Sequence, residues 1–282
     1  MKAPKLTVCK ANEVVEAGYR LSLNEQRVVL ACIAQVNSAA ALLETDLFEL
    51  SAKDFAGIFS VSERNAYDAL IEVAENLFNR YVVIEKPDPK RPRIKLLKMR
   101  WISSIRYLSD EGKVILRFSQ DMLPYLSELK REFTRYELAD VGKMTSIYAI
   151  RLYELLMQWQ STGNREVAID WLKEHFEIAD QYTDMSDFKK RVLDPAVNDI
   201  NVHSNLQVSW TQRKTGRRVT HLVFSFGKKD AEDSPKPAPR LREPMRYGVK
   251  LSEIEKAARP GESVEQVAAR LLQAKKAKKQ DG

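Results

Sequence analysis

The predicted helices and strands follow the same order in both halves of the chain, and this repeat limits the possible folds more than any other feature. In the first half, Ser22 and Glu25 form the capping box of a mostly apolar helix. A short extended segment follows at residues 48–50, and Ser51 and Ser62 then cap two further helices. Three helices therefore precede the first run of strands.

The strands of the first half are predicted from runs of β-branched and apolar residues at 81–84, about 94–107 and 113–118. The first two strands are joined by residues 87–92, which are rich in proline and cations and can form neither a helix nor a central strand. A turn at 110–112 joins the last two strands. Three helices followed by a hairpin with a basic tip is the order of a winged helix.

The second half repeats this order with different residues. A helix begins at Thr145 or Ser146, and Ser186 caps the third helix of this half, residues 187–201. Alternating residues over 206–226 predict a hairpin whose turn carries four cations. The basic loop thus has the same place in both halves, which indicates a duplicated unit.

We therefore expect an α+β protein made of two tandem winged-helix domains with a flexible basic C-terminal tail. The expected boundaries are 1–129 for the N-terminal domain, 130–229 for the C-terminal domain and 230–282 for the tail. Prolines over 233–239 are typical of a linker, and apolar spacing allows a helix over 263–279.

Positive charge is concentrated in the two predicted hairpin regions. The chain has a net charge of +7, but residues 86–100 and residues 187–229 each carry a net charge of +6. The tail after residue 229 carries +3, so the rest of the chain is acidic. One basic block is usually a solvated face, whereas two blocks in the same local context favour a polyanion-binding surface, because cations aligned with phosphates release condensed counterions.

The third helix of the second half has one apolar stripe and one charged stripe. Residues at spacings of four form the stripe that should face the core: Phe188, Val192, Ala196 and Ile200. Lys189, Lys190 and Arg191 lie near the predicted start of the helix, where cations oppose the helix dipole. This position suits a recognition helix whose first turn meets phosphates and base edges, with Arg191 or Lys190 reading guanine. The alternative is an ordinary solvated basic turn.

Two further features of this helix affect that interpretation. Asn198 lies on the charged stripe, and it is a further candidate for contacting DNA. Pro195 predicts a bend or an early end of the helix.

The motifs of common catalytic and cofactor sites are absent from the sequence. The two cysteines and three dispersed histidines have no metal-ligand spacing, and neither GxSxG nor HExxH occurs. Residues 141–145 lack the first glycine of a phosphate-binding loop. The longest uncharged stretch, 28–43, is too short and too polar for a membrane span. We expect a cytoplasmic protein with no catalytic residues, no metal and no cofactor.

Several short segments, taken together in their order and spacing, resemble one protein family. These are LSLNEQR at 21–27, YAIRLYEL at 148–155, FKKRVL at 188–193, DIN at 199–201, KTGRR at 214–218 and FSF at 224–226. Over about residues 10–228 the chain resembles the replication initiators (Rep proteins) of iteron-bearing, theta-replicating bacterial plasmids.

The resemblance implies a non-enzymatic initiator that binds double-stranded DNA. As a monomer it would bind direct repeats, called iterons, at the plasmid origin, and as a homodimer it would repress its own promoter at an operator inverted repeat and so help to control copy number. The C-terminal domain would make the main base contacts, and the N-terminal domain would dimerise and contact DNA backbone. A host replication initiator, the replicative helicase and chaperones would be partners.

The resemblance and the two basic blocks together assign the DNA contacts to eleven residues. In the C-terminal domain they are Lys189, Lys190, Arg191, Asn198, Arg213, Lys214, Arg217 and Arg218, and in the N-terminal domain they are Lys90, Arg91 and Arg93.

Two other functions remain open at this point. A winged-helix transcription regulator without an origin function would need the same residues, and a single palindromic site would distinguish it. A nicking-type initiator enzyme would need a histidine metal cluster beside a tyrosine, and the sequence has no such cluster.

Overall fold

The computed structural model describes residues 6–62, 66–88, 90–130, 132–216, 218–229, 245–246, 249–250, 257, 262 and 264–280. Contacts divide the chain into two units, residues 1–232 and 233–282. The first unit contains both repeated halves, and one hydrophobic core includes residues from each of them.

The first half contains the predicted helices and one more strand pair than a simple winged helix. Its elements are β1 Thr7–Ala11, α1 Asn12–Val15, α2 Leu23–Ile33, β2 Phe48–Ser51, α3 Ala52–Phe59, α4 Ala66–Phe78, β3 Tyr81–Glu85, β4 Leu96–Arg100, β5 Ile102–Leu108 and β6 Lys113–Phe118. The capping box before α2 is present, because Ser22 N donates to Glu25 Oε2 at 2.6 Å and Glu25 N donates to Ser22 Oγ at 3.2 Å. The predicted cap at Ser62 leads into residues 63–65, which lie outside the described residues.

The second half has the expected order. Its elements are β7 Phe133–Glu137, α5 Ala139–Gly142, α6 Ile147–Met157, β8 Asn164–Ala168, α7 Ile169–His175, α8 Met185–Phe188, α9 Asp194–His203, β9 Leu206–Thr215 and β10 Arg218–Lys228. The Ser146 side chain caps α6 by accepting a hydrogen bond from Tyr148 N. Of the two predicted starts, Thr145 and Ser146, the structure therefore has Ser146.

Strand pairing identifies the corresponding hairpins of the two halves. The three-stranded sheets have the orders β2-β6-β5 and β8-β10-β9, so β5–β6 is the counterpart of β9–β10. The pair β3–β4 forms a separate two-stranded sheet inserted between α4 and β5. The basic residues 86–95 join β3 to β4, whereas the β5–β6 turn contains Asp110 and Glu111.

The expectation that the basic loop has the same place in both halves is therefore wrong. The long strand predicted over 94–107 is in fact two strands, interrupted at Trp101. This side chain is fully buried and packs edge-on against Tyr19 with ring centroids 5.1 Å apart. The free energy gained by burying this large aromatic side chain exceeds the cost of interrupting the strand.

The two halves are joined by strand pairing and by buried polar contacts. Strand β1 pairs antiparallel with β7, which lies beyond the predicted border at 129/130. Lys10 on β1 forms a fully buried ion pair with Glu154 on α6 at 2.7 Å. Arg151 on α6 donates to the backbone carbonyl oxygens of Tyr19 and Ala17, each at 2.7 Å. Buried ions require such partners, because an unpaired buried charge is strongly destabilising.

The second unit contains a short hairpin and one long helix. Strand β11, Met245–Arg246, pairs with β12, Val249–Lys250, and α10 spans Val264–Gln280, close to the predicted helix over 263–279. Val249, Val267 and Ala268 are buried together. The predicted linker 233–239 lies outside the described residues.

Two kinds of feature are absent from the described residues. No described helix has both the length and the apolar character that crossing a membrane requires. Within the same residues, no group of three or more His, Cys, Asp or Glu side chains is arranged to hold a metal ion.

Candidate DNA-binding surface

The third helix of the second half begins earlier than predicted. Asp184, and not Ser186, is its N-cap, because the Asp184 carboxylate accepts from Ser186 N at 2.6 Å. Helical structure then continues through α8, a π-helical turn at Lys189–Leu193, and α9 to His203. The three cations therefore lie in the second turn, where their conflict with the helix dipole is weaker than at the first turn. We call residues 185–203 the recognition helix.

The apolar stripe of the recognition helix is confirmed, since Phe188, Val192, Ala196 and Ile200 are all fully buried. An early end at Pro195 is wrong. Proline cannot donate a backbone hydrogen bond, and here it stands at the second position of α9, directly after the π-helical turn. Such turns are frequent at functional sites.

The recognition helix and strand β9 enclose a basic groove. Lys189 Nζ donates to Gln212 Oε1 on β9 at 2.7 Å, and Lys189 lies 5.5 Å from the centre of the Trp210 ring. A cavity of about 460 Å³ lies between these elements, and Lys190 and Lys214 line it together with Lys189. The structure thus brings together three of the predicted contact residues. We call this cavity the lysine groove.

The side-chain alternation of β9 separates the predicted hairpin cations. Trp210, Gln212 and Lys214 have the same parity and face the recognition helix, whereas Arg213 points to the other face of the sheet. Arg213 forms an ion pair there with Glu166 on β8.

Of the two other predicted contact residues of this hairpin, Arg218 is the first residue of β10, is largely exposed and lies 3.5 Å from Asp170. Arg217 lies outside the described residues.

Arg191 and Asn198 are exposed on the recognition helix. Arg191 Nε lies 3.6 Å from Asp187 Oδ1, and both side chains are more than half exposed. Such a surface pair contributes about 0–1 kcal/mol, so Arg191 can exchange it for another acceptor.

The cations predicted for the first half lie on the inserted hairpin. Lys90, Arg91 and Arg93 are exposed between β3 and β4, and Arg91 pairs loosely with Asp88 at 3.8 Å. Two further residues of this hairpin, Tyr81 and Lys98, were not among the predicted site residues. Lys98 Nζ lies 3.6 Å from the centre of the exposed Tyr81 ring, an arrangement that strand pairing creates and that residue spacing does not indicate.

A second group of missed residues holds the recognition helix in place. The buried carboxylate of Asp199 accepts from Thr145 N at 2.8 Å and from Ser146 N at 2.9 Å, which ties α9 to the start of α6. Asn201 exchanges two hydrogen bonds with the Val208 backbone on β9. These contacts give the DIN segment a positioning role.

The end of the recognition helix is also fixed. Lys229 Nζ donates to the carbonyl oxygens of Asn201 and Ser204, the latter at 2.8 Å. A cation at this position is stabilised by the negative end of the helix dipole. Burial lowers the pKa of Lys229.

The fold and this surface define a protein of two tandem winged-helix domains. The chain belongs to the family of plasmid replication initiators. Its residues 7–157 match the model described as Initiator Replication protein, WH1, and residues 168–226 match the one described as Initiator Rep protein, WH2.

Two relatives are similar to this chain over most of its length, and one solved structure has the same fold. An uncharacterized 27.6 kDa protein of Escherichia coli is 30% identical over 231 residues, which cover 78% of this chain and 95% of the relative. A replication initiation protein of Escherichia coli is 28% identical over 227 residues, covering 78% and 69%. The Pi initiator protein, crystallised in complex with iteron DNA, has the same fold, with a TM-score of 0.70, 24% identity, and coverage of 81% of this chain and 99% of that one.

Proposed function

We propose that this protein initiates plasmid replication by binding, as a monomer, to the direct repeats of its origin, and that it represses its own promoter as a dimer. The observation that carries the proposal is the lysine groove, in which Lys189, Lys190 and Lys214 meet beside an exposed helix face. Three cations in one concave surface attract phosphate, and the helix beside them can enter a major groove. The Pi initiator has the same fold and was crystallised with iteron DNA.

Some of the proposed contacts would read bases, and others would hold phosphates. Arg191 and Lys190 lie on the exposed side of the recognition helix and would reach base edges, where a guanidinium can pair with guanine O6 and N7. Asn198 lies two turns further along the same face and would contact a neighbouring base. Lys189 and Lys214 would hold phosphates and thereby set the position of the helix on the duplex.

The β9–β10 hairpin, which is the wing of this domain, would add contacts outside the major groove. Arg213, Arg217 and Arg218 belong to the β9–β10 hairpin and would bind flanking phosphates or a minor groove. Arg213 and Arg218 would first leave Glu166 and Asp170, to which they are paired. The exposed ion pairs are weak, and phosphate can replace either carboxylate.

The N-terminal domain would contact the DNA backbone and provide the dimer interface. Lys90, Arg91 and Arg93 on the inserted hairpin would bind phosphates next to the site that the recognition helix reads. We retain 1–129 and 130–229 as the two functional domains, although β1 pairs across this border.

We further propose that initiation needs no catalysis by this chain. Binding to several repeats would bend the DNA, and the contacts would offset the cost of that deformation. A host initiator, the replicative helicase and chaperones would be its partners in the cytoplasm.

A footprint of the purified protein on DNA flanking its own gene, near physiological salt, tests this proposal. Regularly spaced protection over tandem direct repeats is the expected result. Protection of one inverted site alone would instead indicate a repressor without an origin function. Binding that shows no protected sequence and disappears as salt rises would contradict sequence-specific recognition. A covalent adduct with supercoiled origin DNA and a divalent metal would reveal a nicking enzyme.

A further inference from the structure

A carboxylate lies among the cations of the lysine groove. Asp194 lines this groove together with the three lysines. It is exposed on the recognition helix, and its position in the sequence is between the exposed residues Arg191 and Asn198. A negative charge at this place repels the phosphates that the lysines attract. Affinity for phosphate therefore does not account for Asp194.

Neither charge balance nor helix stability accounts for Asp194. It forms no ion pair with another described residue, and Lys189 Nζ donates to Gln212 Oε1 at 2.7 Å instead. The helix dipole favours a carboxylate at a free N-terminus. Here helical structure is continuous from α8 to α9, and Asp194 N donates to the carbonyl oxygen of Lys189.

The indole of Trp210 holds the Asp194 carboxylate. Trp210 Nε1 on β9 donates to Asp194 Oδ1 at 3.3 Å. The donor is neutral, so the negative charge of the carboxylate remains. A carboxylate can accept about four hydrogen bonds, and because Asp194 is exposed, its other acceptor positions are open to a ligand. The groove thus presents a positioned acceptor beside its cations.

We propose that Asp194 is a specificity-determining residue that accepts a hydrogen bond from the N4 amino group of a cytosine in the major groove. This inference rests on the proposed function. A carboxylate can only accept, and cytosine presents an amino donor at this edge, whereas guanine and thymine present acceptors. Adenine presents its N7 acceptor beside its amino group, which makes it a poorer partner.

The same carboxylate acts against DNA that lacks the cytosine. On other sequences it finds no donor and still repels phosphate, so it weakens binding there more than on the repeat. Asp194 follows Arg191 by three residues, which is about 4.5 Å along a helix. Base pairs are about 3.4 Å apart. Asp194 would therefore meet a base pair adjacent to the one that Arg191 reads.

The test measures binding of the full-length protein to duplexes that carry one protected repeat, with each base pair replaced in turn. Fluorescence anisotropy gives Kd for each duplex. The unaltered protein should prefer cytosine at a position adjacent to the one that Arg191 reads. Asp194→Ala should reduce this preference by about fivefold to tenfold, since a base contact is lost. The same variant should bind a duplex of unrelated sequence about twofold more tightly, because the repulsive charge is gone.

Two further variants sharpen the assignment. Asp194→Asn should shift the preference at this position from cytosine to adenine, because an amide pairs with adenine N6 and N7. Trp210→Phe removes the indole donor and should reduce the preference at the same base pair. An unchanged preference in Trp210→Phe would overturn the positioning role of Trp210.

The matched control is Asp180→Ala, which removes the same charge from an exposed position after α7. It should leave every Kd as in the unaltered protein. Equal changes on all duplexes in Asp194→Ala would overturn the inference, and the proposed function would stand as long as the unaltered protein prefers the repeat. A preference lost at an A·T pair would overturn the assignment to cytosine. The absence of any base preference in the unaltered protein would overturn both the inference and the proposed function.

Discussion

Replacing Arg191 by alanine should weaken DNA binding and relax the preference at one base pair, without destabilising the fold. The described structure gives Arg191 one ion-pair partner, Asp187 at 3.6 Å, and the two side chains are 66% and 57% exposed. Breaking that pair costs about 0–1 kcal/mol of the free energy of unfolding. Losing a bidentate guanine contact costs about 1–3 kcal/mol of binding, which raises Kd by about 5- to 150-fold.

Fluorescence anisotropy on a duplex with one repeat, at several salt concentrations, measures this effect. Arg191→Ala should lose discrimination at one position. Lys214→Ala should weaken all sequences alike and reduce the slope of log K against log salt by about 0.9, as expected for one phosphate contact. Arg106→Ala serves as the control, since this exposed arginine lies on β5 in the first half. Unchanged affinity and unchanged preference in Arg191→Ala would refute the role of the recognition helix.

Three further predictions concern the buried polar groups. Asp199→Ala should lower the free energy of unfolding, measured by urea titration, by about 1–3 kcal/mol. The reason is that the backbone N–H groups of Thr145 and Ser146 lose their acceptor. An unchanged urea midpoint would contradict the proposed positioning role. Glu154→Gln should cost about 3–5 kcal/mol by leaving buried Lys10 unpaired, and adding Lys10→Met should recover part of this loss in the same assay. Burial and the cation of Arg151 hold the pKa of His175 well below 6.5, so the unfolded chain binds this proton first as pH falls. Stability should therefore decrease below about pH 6.5 by up to about 1.4 kcal/mol per pH unit, and His175→Gln should reduce this slope in thermal unfolding scans.

The agreement between sequence and structure is greatest where the signal is local. The capping box at Ser22 and the buried stripe of the recognition helix were both predictable, because a cap spans three residues and a helical stripe repeats every three or four. The two basic blocks are equally visible, since they depend on composition alone. Local pattern therefore determined the helices, most strands and the type of surface.

Tertiary structure decided which strands pair and which side chains meet. Strand spacing alone does not indicate that β3–β4 is an inserted hairpin and that β5–β6 is the counterpart of β9–β10, because pairing joins residues distant in sequence. The same pairing puts Lys214 in the lysine groove and Arg213 on the opposite face of the sheet. The hydrogen bonds from Thr145 N and Ser146 N to Asp199 also depend on segments that only folding brings together. Local periodicity selects secondary structure, whereas burial and hydrogen-bond satisfaction across the whole chain select the contacts that build a site.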